Sequence, residues 1–348
     1  MSTTILRVGM VTPVGLSAQA TAAALRAGVS RISETPFFDH GGDPIAMGQL
    51  PAAFWQASED FSVLSDDLDE DERVLRAVAL AAAALRDCLG EDSALRQVPL
   101  FLAAPEPLFG QTADSGERIC KRLSEFLPGL CDDAASRSFP AGRAGGMLAL
   151  QAALEWLSAH PEQQVLIGGA DTFFDAELLE TLDSESRIHG KTLGDGLLPG
   201  EGAAFLLLGA AQTSAVAEIV AVGVGREPGH RYSPEPCRGD GLSAAVRQLF
   251  TGAGSAIRDI HTIYASLNGE SLQAYEWGIA ALRSRSHLAA DFRVHHPADC
   301  IGDVGAASAP LLLGLAALGI ERGYRPAPAL IWCASDLDCR GAALVSRA

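Results

Sequence analysis

The residues that could form a reactive centre lie where a glycine-rich turn enters a helix, within residues 139–157 (FPAGRAGGMLALQAALEWL). A proline and small residues precede strong helix formers that are apolar on nearly every face, which predicts a helix buried on all sides. Many enzymes place a nucleophile at such a turn, because the helix dipole and free N–H groups lower its pKa. The residue at the tip of this turn is Arg143, and a guanidinium cannot serve as that nucleophile.

Other side chains of catalytic or metal-binding type occur in contexts that favour structural roles. Glu201 lies in a PGEG turn, where a hydrogen-bonding role beneath a site is favoured over that of a general base. Cys300 is interpreted as a buried thiol rather than a displaced nucleophile, because the sequence places no base beside it. His295 and His296 are adjacent on an extended segment, so their side chains point to opposite faces and do not form a metal site.

Composition excludes several classes of function. The chain has 348 residues, 48% of them hydrophobic, and its formal net charge of -17 argues against nucleic acid or an anionic membrane as the main partner. The longest apolar runs, such as residues 78–85 and 310–318, are too short to span a bilayer, and no signal peptide is evident. Seven scattered cysteines without CxxC spacing fit reduced thiols, which predicts a cytoplasmic protein without structural zinc. No glycine pattern matches a phosphate-binding motif, so no cofactor is expected.

Short apolar strands alternate with buried helices along the chain, which predicts layered α/β architecture in two halves, 1–212 with the turn and 213–348. Residues 31–65 are interpreted as an irregular surface excursion and the acidic stretch 58–72 as a solvated loop. The predicted strands cover residues 5–11, 98–103, 164–168, 203–208, 216–224, 262–267 and 329–333. The predicted helices cover 17–28, 72–89, 115–127, 139–157, 242–250, the segment after residue 271 through 282, and an alanine- and leucine-rich segment ending at 318.

Four blocks of sequence carry a family likeness. They are VGMVTPVGLSAQATAAALRAGVSRI at 8–32, GGAD at 168–171, DGLLPGEGAAFLLL at 195–208 and IGDVGAASAPLLLGLAAL at 301–318. In order and spacing they resemble the β-ketoacyl synthases (ketosynthases) of fatty-acid and polyketide synthesis over almost the whole chain. The resemblance implies a thiolase-like layered αβαβα fold made of two similar halves.

The resemblance also implies where catalytic residues belong, and each position is changed. The family's cysteine nucleophile falls on Arg143, and its two histidines fall on Asn268 and Asp303. The lysine expected five residues before the second histidine falls on Ala298, and the glycine-rich loop near the family's C-terminus is replaced by residues 335–341. The chemistry requires a thiolate to take the acyl group and histidines to assist decarboxylation, so no catalytic residue is assigned.

Two interpretations stay open. In the first, the chain lacks condensing activity and is a binding or assembly subunit, as a homodimer or a heterodimer with a ketosynthase or another accessory protein. Its dimer contact would be the sheet edge and helix near Arg143, and an acyl-carrier protein is a further candidate partner. In the second, it is an acyltransferase-type enzyme that acts on acyl-carrier-protein or acyl-CoA thioesters with non-family residues. A pair between Arg143 and Asp303 would either close the site or leave the arginine for an anionic ligand.

Overall fold

A computed structural model of the chain describes residues 2–57, 71–90, 95–108, 110, 112–191, 193–252, 257 and 259–348. Residues 58–70 of the acidic stretch, predicted as a solvated loop, lie outside that description. The strands are β1 (Thr3–Val11), β2 (Ile32–Phe38), β3 (Pro44–Gly48), β4 (Leu100–Ala103), β5 (Arg137–Phe139), β6 (Val165–Thr172), β7 (Glu201–Ala210), β8 (Ala217–Arg226), β9 (Ile260–Ala265), β10 (Leu288–His295), β11 (Ala329–Ala334) and β12 (Cys339–Ser346).

Helices connect most of these strands. They are α1 (Ala18–Arg26), α2 (Ala52–Ala57), α3 (Glu72–Leu89), α4 (Ser115–Phe126), α5 (Gly142–Ala159), α6 (Ala176–Ser184), α7 (Asp240–Gly252), α8 (Ser271–Arg283), α9 (Ala298–Ile301) and α10 (Ser308–Glu321). Among the residues that the structure describes, none of these helices combines the length and the hydropathy that a membrane span requires.

The main sheet repeats one topology twice. Its strand order is β10-β9-β11-β12-β8-β1-β7-β6-β4-β5. The strands from β1 outward (β1-β7-β6-β4-β5) and from β8 outward (β8-β12-β11-β9-β10) form two sets. In each set the strands lie in the same spatial order: first, fifth, fourth, second and third in chain order. The two sets meet where β1 pairs with β8 over only three residues, Thr3 to Ile5. This repetition confirms two similar halves, while the boundary between residues 212 and 213 stays a prediction.

Two apolar helices form the middle layer. Helices α5 and α10 contact each other and contact strands of both sets, whereas α3 and α7 each cover the outer face of one set. Every residue from Ser308 to Ile320 in α10 is buried, as expected for a helix that is apolar on all faces. The layers follow in the order α3, the first strand set, the central pair α5 and α10, the second strand set, and α7. This order confirms the predicted αβαβα layers.

Most predicted elements are confirmed to within a few residues, and two predictions are wrong. Residues 31–65 are not wholly irregular, because β2 and β3 pair as a separate hairpin and α2 follows. Each of these two strands contains a proline, which argues against a strand in the sequence because proline cannot donate a ladder hydrogen bond. Proline is nevertheless tolerated in a two-stranded edge pair. The strand at 329–333 is not the last, since β12 follows and carries the buried Arg340, which interrupts its apolar pattern.

The close approach of the two central helices is testable at Gly146. A Cβ at this position would lie 2.7 Å from Pro310 Cδ and 2.8 Å from Ala309 Cβ. Gly146→Ala should therefore lower the free energy of unfolding by about 1–3 kcal/mol, because overpacking exceeds the gain in helix propensity. Gly278→Ala in α8 is the matched control, since no atom lies within 4 Å of its Cβ position, and it should raise stability by up to about 1 kcal/mol. Equal effects of the two substitutions in denaturant unfolding would contradict the packing.

Candidate functional site

The turn into α5 places Arg143 at the centre of the molecule. Gly142 opens the helix with a φ of 52°, a left-handed conformation that glycine adopts without strain, and its N–H donates to the Ala104 carbonyl. The Ser335 hydroxyl accepts from the Ala144 N–H at 3.0 Å and donates to the Ala141 carbonyl at 2.6 Å. The segment between β11 and β12 thus holds the predicted turn in place. Arg143 is the second residue of α5.

Arg143 is paired with two carboxylates. Its Nε donates to Asp303 Oδ2 at 2.7 Å, and its Nη1 donates to Asp336 Oδ1 at 2.9 Å. The Asn268 amide donates to the same Asp303 oxygen at 2.8 Å. The structure therefore brings together the three residues singled out from the sequence, Arg143, Asn268 and Asp303, and adds Asp336 to them.

All of these side chains are nearly inaccessible, with Arg143 only 4% exposed. Burial alone would lower the pKa of Arg143, but Asp303 and Asp336 outweigh it and raise that pKa well above the ordinary value. Burial alone would raise the pKa of Asp336, but Arg143 and Arg187 outweigh it and lower that pKa to about 2. The guanidinium and this carboxylate are both ionised at neutral pH.

A second arginine extends the pairing toward the surface. Arg187 forms a two-bond pair with Glu270, Nε to Oε1 at 2.9 Å and Nη2 to Oε2 at 3.0 Å, and reaches Asp336 Oδ2 at 2.9 Å. Arg231 also pairs with Glu270 at 2.8 Å, and Tyr232 accepts from Arg187 Nη1 at 2.8 Å. We call Arg143, Arg187, Glu270, Asp303 and Asp336 the central ionic cluster.

Glu106 lies beside the central ionic cluster, and its pKa is shifted in the opposite direction to that of Asp336. Its two carboxyl oxygens accept from the N–H groups of Asp336 and Leu337 at 2.9 and 2.8 Å. Burial first, and then the Asp336 carboxylate, raise the pKa of Glu106, although these N–H groups oppose the shift. Ionisation of Glu106 is thus opposed by burial and by its neighbour and supported by two backbone donors.

The cavities beside the cluster are small. One of about 20 Å³ adjoins Asn268 and Asp303, and one of about 40 Å³ adjoins Arg143 and Asp336. Since one water needs about 10–15 Å³, each holds at most a few waters, whereas ligand pockets span roughly 300–1,000 Å³. Within the described part of the chain, the arrangement binds its own carboxylates and leaves no room at Arg143 for an acyl chain.

Glu201 has the structural role that its context favoured. It is fully buried as the first residue of β7, and it accepts from the Leu50 N–H, the Thr172 hydroxyl and Arg76 Nη2, at 2.8, 2.9 and 2.8 Å. These bonds join β7 to β6, to α3 and to the segment after β3. Glu201 lines neither of the two small cavities beside the central ionic cluster.

The other candidates lie away from Arg143. Cys300 is half-buried in α9, and burial, followed by the Asp299 carboxylate, raises the pKa of its thiol. His295 ends β10 with its ring against Tyr264, and His296 Nδ1 lies 3.0 Å from Asp299. The two histidines thus contact different residues, and neither faces the central ionic cluster.

One group of metal-ligand types occurs among the described residues. The ligand atoms of Glu227, Cys237 and Glu276 lie within 4.8 Å of one another. Arg340 pairs with both oxygens of Glu276 at 2.7 Å, and Glu227 accepts from backbone N–H groups. Burial raises the pKa of Cys237 to about 12, so this thiol is protonated at neutral pH. The group is a hydrogen-bonded network whose ligand atoms are already engaged.

Sequence reasoning missed most of the residues that surround Arg143. Two acidic residues could have been singled out from the sequence as neighbours of Arg143. Glu270 comes two residues after Asn268, and Asp336 lies in the segment 335–341 that the resemblance aligns with the family's glycine-rich loop. Arg187 and Glu106 carry no such signal, because their partners are far away in the chain.

Loss of Arg143 tests the central ionic cluster. Arg143→Met should lower the free energy of unfolding by about 3–5 kcal/mol, because Asp303 would stay buried without its cation. Arg226→Met is the matched control: Arg226 pairs with Asp338 at 2.7 Å but is 82% exposed, so its loss should cost less than about 1 kcal/mol. Similar losses for both variants in denaturant unfolding would contradict a buried ionic cluster.

Comparison with known proteins extends these observations. No protein-family model matches the chain, and no curated protein matches its sequence. Solved structures do match it over its whole length. The ishigamide ketosynthase/chain length factor has a TM-score of 0.76 and 18% identity, with 100% of this chain and 99% of that chain covered.

Two further structures are similar. A ketosynthase from module 6 of the bacillaene synthase of Bacillus subtilis 168 has a TM-score of 0.80 and 12% identity, with 100% of this chain and 72% of that chain covered. A type II polyketide synthase acyl-carrier protein in complex with its ketosynthase has a TM-score of 0.73 and 14% identity, with 100% of this chain and 99% of that chain covered. At these identities the likeness shows the fold, and the chain has the thiolase-like fold of the ketosynthases.

Proposed function

We propose that this ketosynthase-like protein lacks condensing activity and acts as a binding or assembly subunit. One observation carries the proposal: the guanidinium of Arg143, the residue on which the family's nucleophile falls by sequence resemblance, is bound to Asp303 and Asp336. A guanidinium stays protonated and cannot accept an acyl group.

The remaining positions support the same conclusion. Asn268 and Asp303 stand where the family has histidines, and both are hydrogen-bonded within the cluster. An amide cannot exchange protons as an imidazole does, and a carboxylate paired with Arg143 would repel a developing oxyanion instead of stabilising it. A cavity of about 40 Å³ cannot admit an acyl chain beside these residues.

The subunit role implies a partner, and the edge of the sheet near Arg143 is the proposed contact. β5 is the last strand at one end of the main sheet and pairs with β4 alone among the described strands. An edge strand presents unpaired backbone groups to a second chain. A ketosynthase/chain length factor and an acyl-carrier protein bound to its ketosynthase are among the similar structures. The proposed partner is a second copy of this chain, a ketosynthase or another accessory protein.

Acyl transfer with non-family residues is the competing function, and acyl loading separates the two. The full chain is incubated with acyl-carrier-protein and acyl-CoA donors of several chain lengths, and its intact mass is measured. We expect an unchanged mass, because burial keeps the Cys300 thiol protonated and Arg143 is no nucleophile. A stable adduct on wild type that is lost in Cys300→Ser would overturn the proposal and identify Cys300 as the nucleophile. An adduct that persists in Cys300→Ser would overturn it through another residue.

Light scattering after size exclusion tests the dimer. We expect a mass near twice 36.3 kDa for the chain alone, and a shift toward the monomer in Arg137→Asp, which places an anion on the β5 edge. Arg247→Asp, an equal charge change on the exposed face of α7, should leave the mass unchanged. A wild-type chain that is monomeric at every concentration contradicts the homodimer form of the proposal.

A further inference from the structure

A larger cavity lies apart from the central ionic cluster. It has a volume of about 230 Å³, opens to the surface, and is lined by α1, the end of β9, residues 294–300, α10 and the segment after α10. This volume is several times that of either small cavity beside the central ionic cluster. None of the residues that line it belongs to the cluster.

The cavity is rich in positive charge. Arg26 and Arg325 both line it, and their guanidinium carbons lie 4.8 and 5.6 Å from the centre of the Tyr324 ring. Arg26 is exposed at the mouth of the cavity and Arg325 is half-buried. Within the described residues, neither guanidinium has a carboxylate within 4.0 Å, whereas the five buried arginines are all paired. Two like charges held on one ring repel each other, and an anion between them would relieve that repulsion.

A buried phenol adds a neutral donor. Tyr264 is only 5% exposed, lines the cavity and accepts from Arg325 Nε at 3.3 Å. Burial raises the pKa of Tyr264, so the hydroxyl keeps its proton. Because the phenol oxygen accepts from Arg325, that proton is free to be donated to a ligand oxygen.

The pKa of His295, which also lines the cavity, is lowered in part by nearby positive charge. Burial first, and then Arg325, His296 and Arg293, lower the pKa of His295 to about 4. The one carboxylate on the cavity wall, Asp299, is 69% exposed and paired with His296. The interior of the cavity therefore combines cationic and neutral donors.

We propose that this cavity binds a small organic anion, a carboxylate or a phosphate monoester, whose charged group lies between Arg26, Arg325 and the Tyr264 hydroxyl. Guanidinium groups bind both kinds of anion through paired N–H donors. The apolar remainder of the ligand would pack against Leu25 and Leu315, which line the same cavity. A volume of about 230 Å³ suits a fragment-sized molecule and exceeds what inorganic phosphate alone needs.

Titration calorimetry on the full chain tests the proposal with three probes: phenyl phosphate, hexanoate and inorganic phosphate. We expect saturable binding of phenyl phosphate or hexanoate, at least tenfold weaker in Arg325→Gln and in Arg26→Gln. Arg322→Gln removes an equal charge from an exposed site next to α10 that does not line the cavity, and it should bind as wild type does. A preference for phenyl phosphate over hexanoate identifies a phosphate ligand, and the reverse identifies a carboxylate.

Cys300 provides a second, local readout because it lines this cavity. Bound probe should slow alkylation of Cys300 by N-ethylmaleimide at least threefold, while the half-buried Cys120 and Cys237, which lie outside the cavity, should react at unchanged rates. The absence of saturable binding for all three probes, binding that Arg26→Gln and Arg325→Gln leave unchanged, or binding without protection of Cys300 would each overturn the proposal. Neither readout depends on acyl loading or on the dimer, so its failure is distinct from failure of the proposed function.

Discussion

The interaction on which the structure depends is the buried contact of Arg143 with Asp303 and Asp336. The contact joins α5 to two loops: Asp303 lies between α9 and α10, and Asp336 lies between β11 and β12. Arg187 with Glu270, and Glu106 with the N–H groups of residues 336 and 337, cross the same boundary. Since removal of one buried partner leaves an uncompensated charge, these contacts constrain the two halves to one arrangement.

The charged groups of this region shift one another's pKa values in opposite directions. Three guanidiniums, those of Arg143, Arg187 and Arg231, face Asp303, Asp336 and Glu270, with Glu106 as a fourth carboxyl group. Asp336 is held ionised by its two arginines, whereas burial and Asp336 raise the pKa of Glu106. The same carboxylate that the arginines stabilise therefore opposes ionisation of its neighbour Glu106.

The sequence predicted the elements whose patterns are local and missed the contacts that are not. The helices at 72–89 and 139–157 follow from long apolar runs, and the resemblance to a family singled out Arg143, Asn268 and Asp303. The structure joins those three residues, which no periodicity could show. Arg187 and Glu270 are far apart in the chain, so their pairing depends on the tertiary fold. The hairpin of β2 and β3 escaped because prolines mask strand character.

An arginine in the first turn of α5 has physical consequences for the whole site. The N-terminus of a helix favours an anion, such as a thiolate, and disfavours a cation. Arg143 lies at the N-terminal end of α5 against this preference, and Asp303 and Asp336 supply the compensating charge. If a cysteine replaced Arg143 alone, both carboxylates would face its thiolate and raise its pKa. The charges around Arg143 therefore suit a guanidinium, and a cysteine at that position alone would meet two carboxylates that disfavour its thiolate.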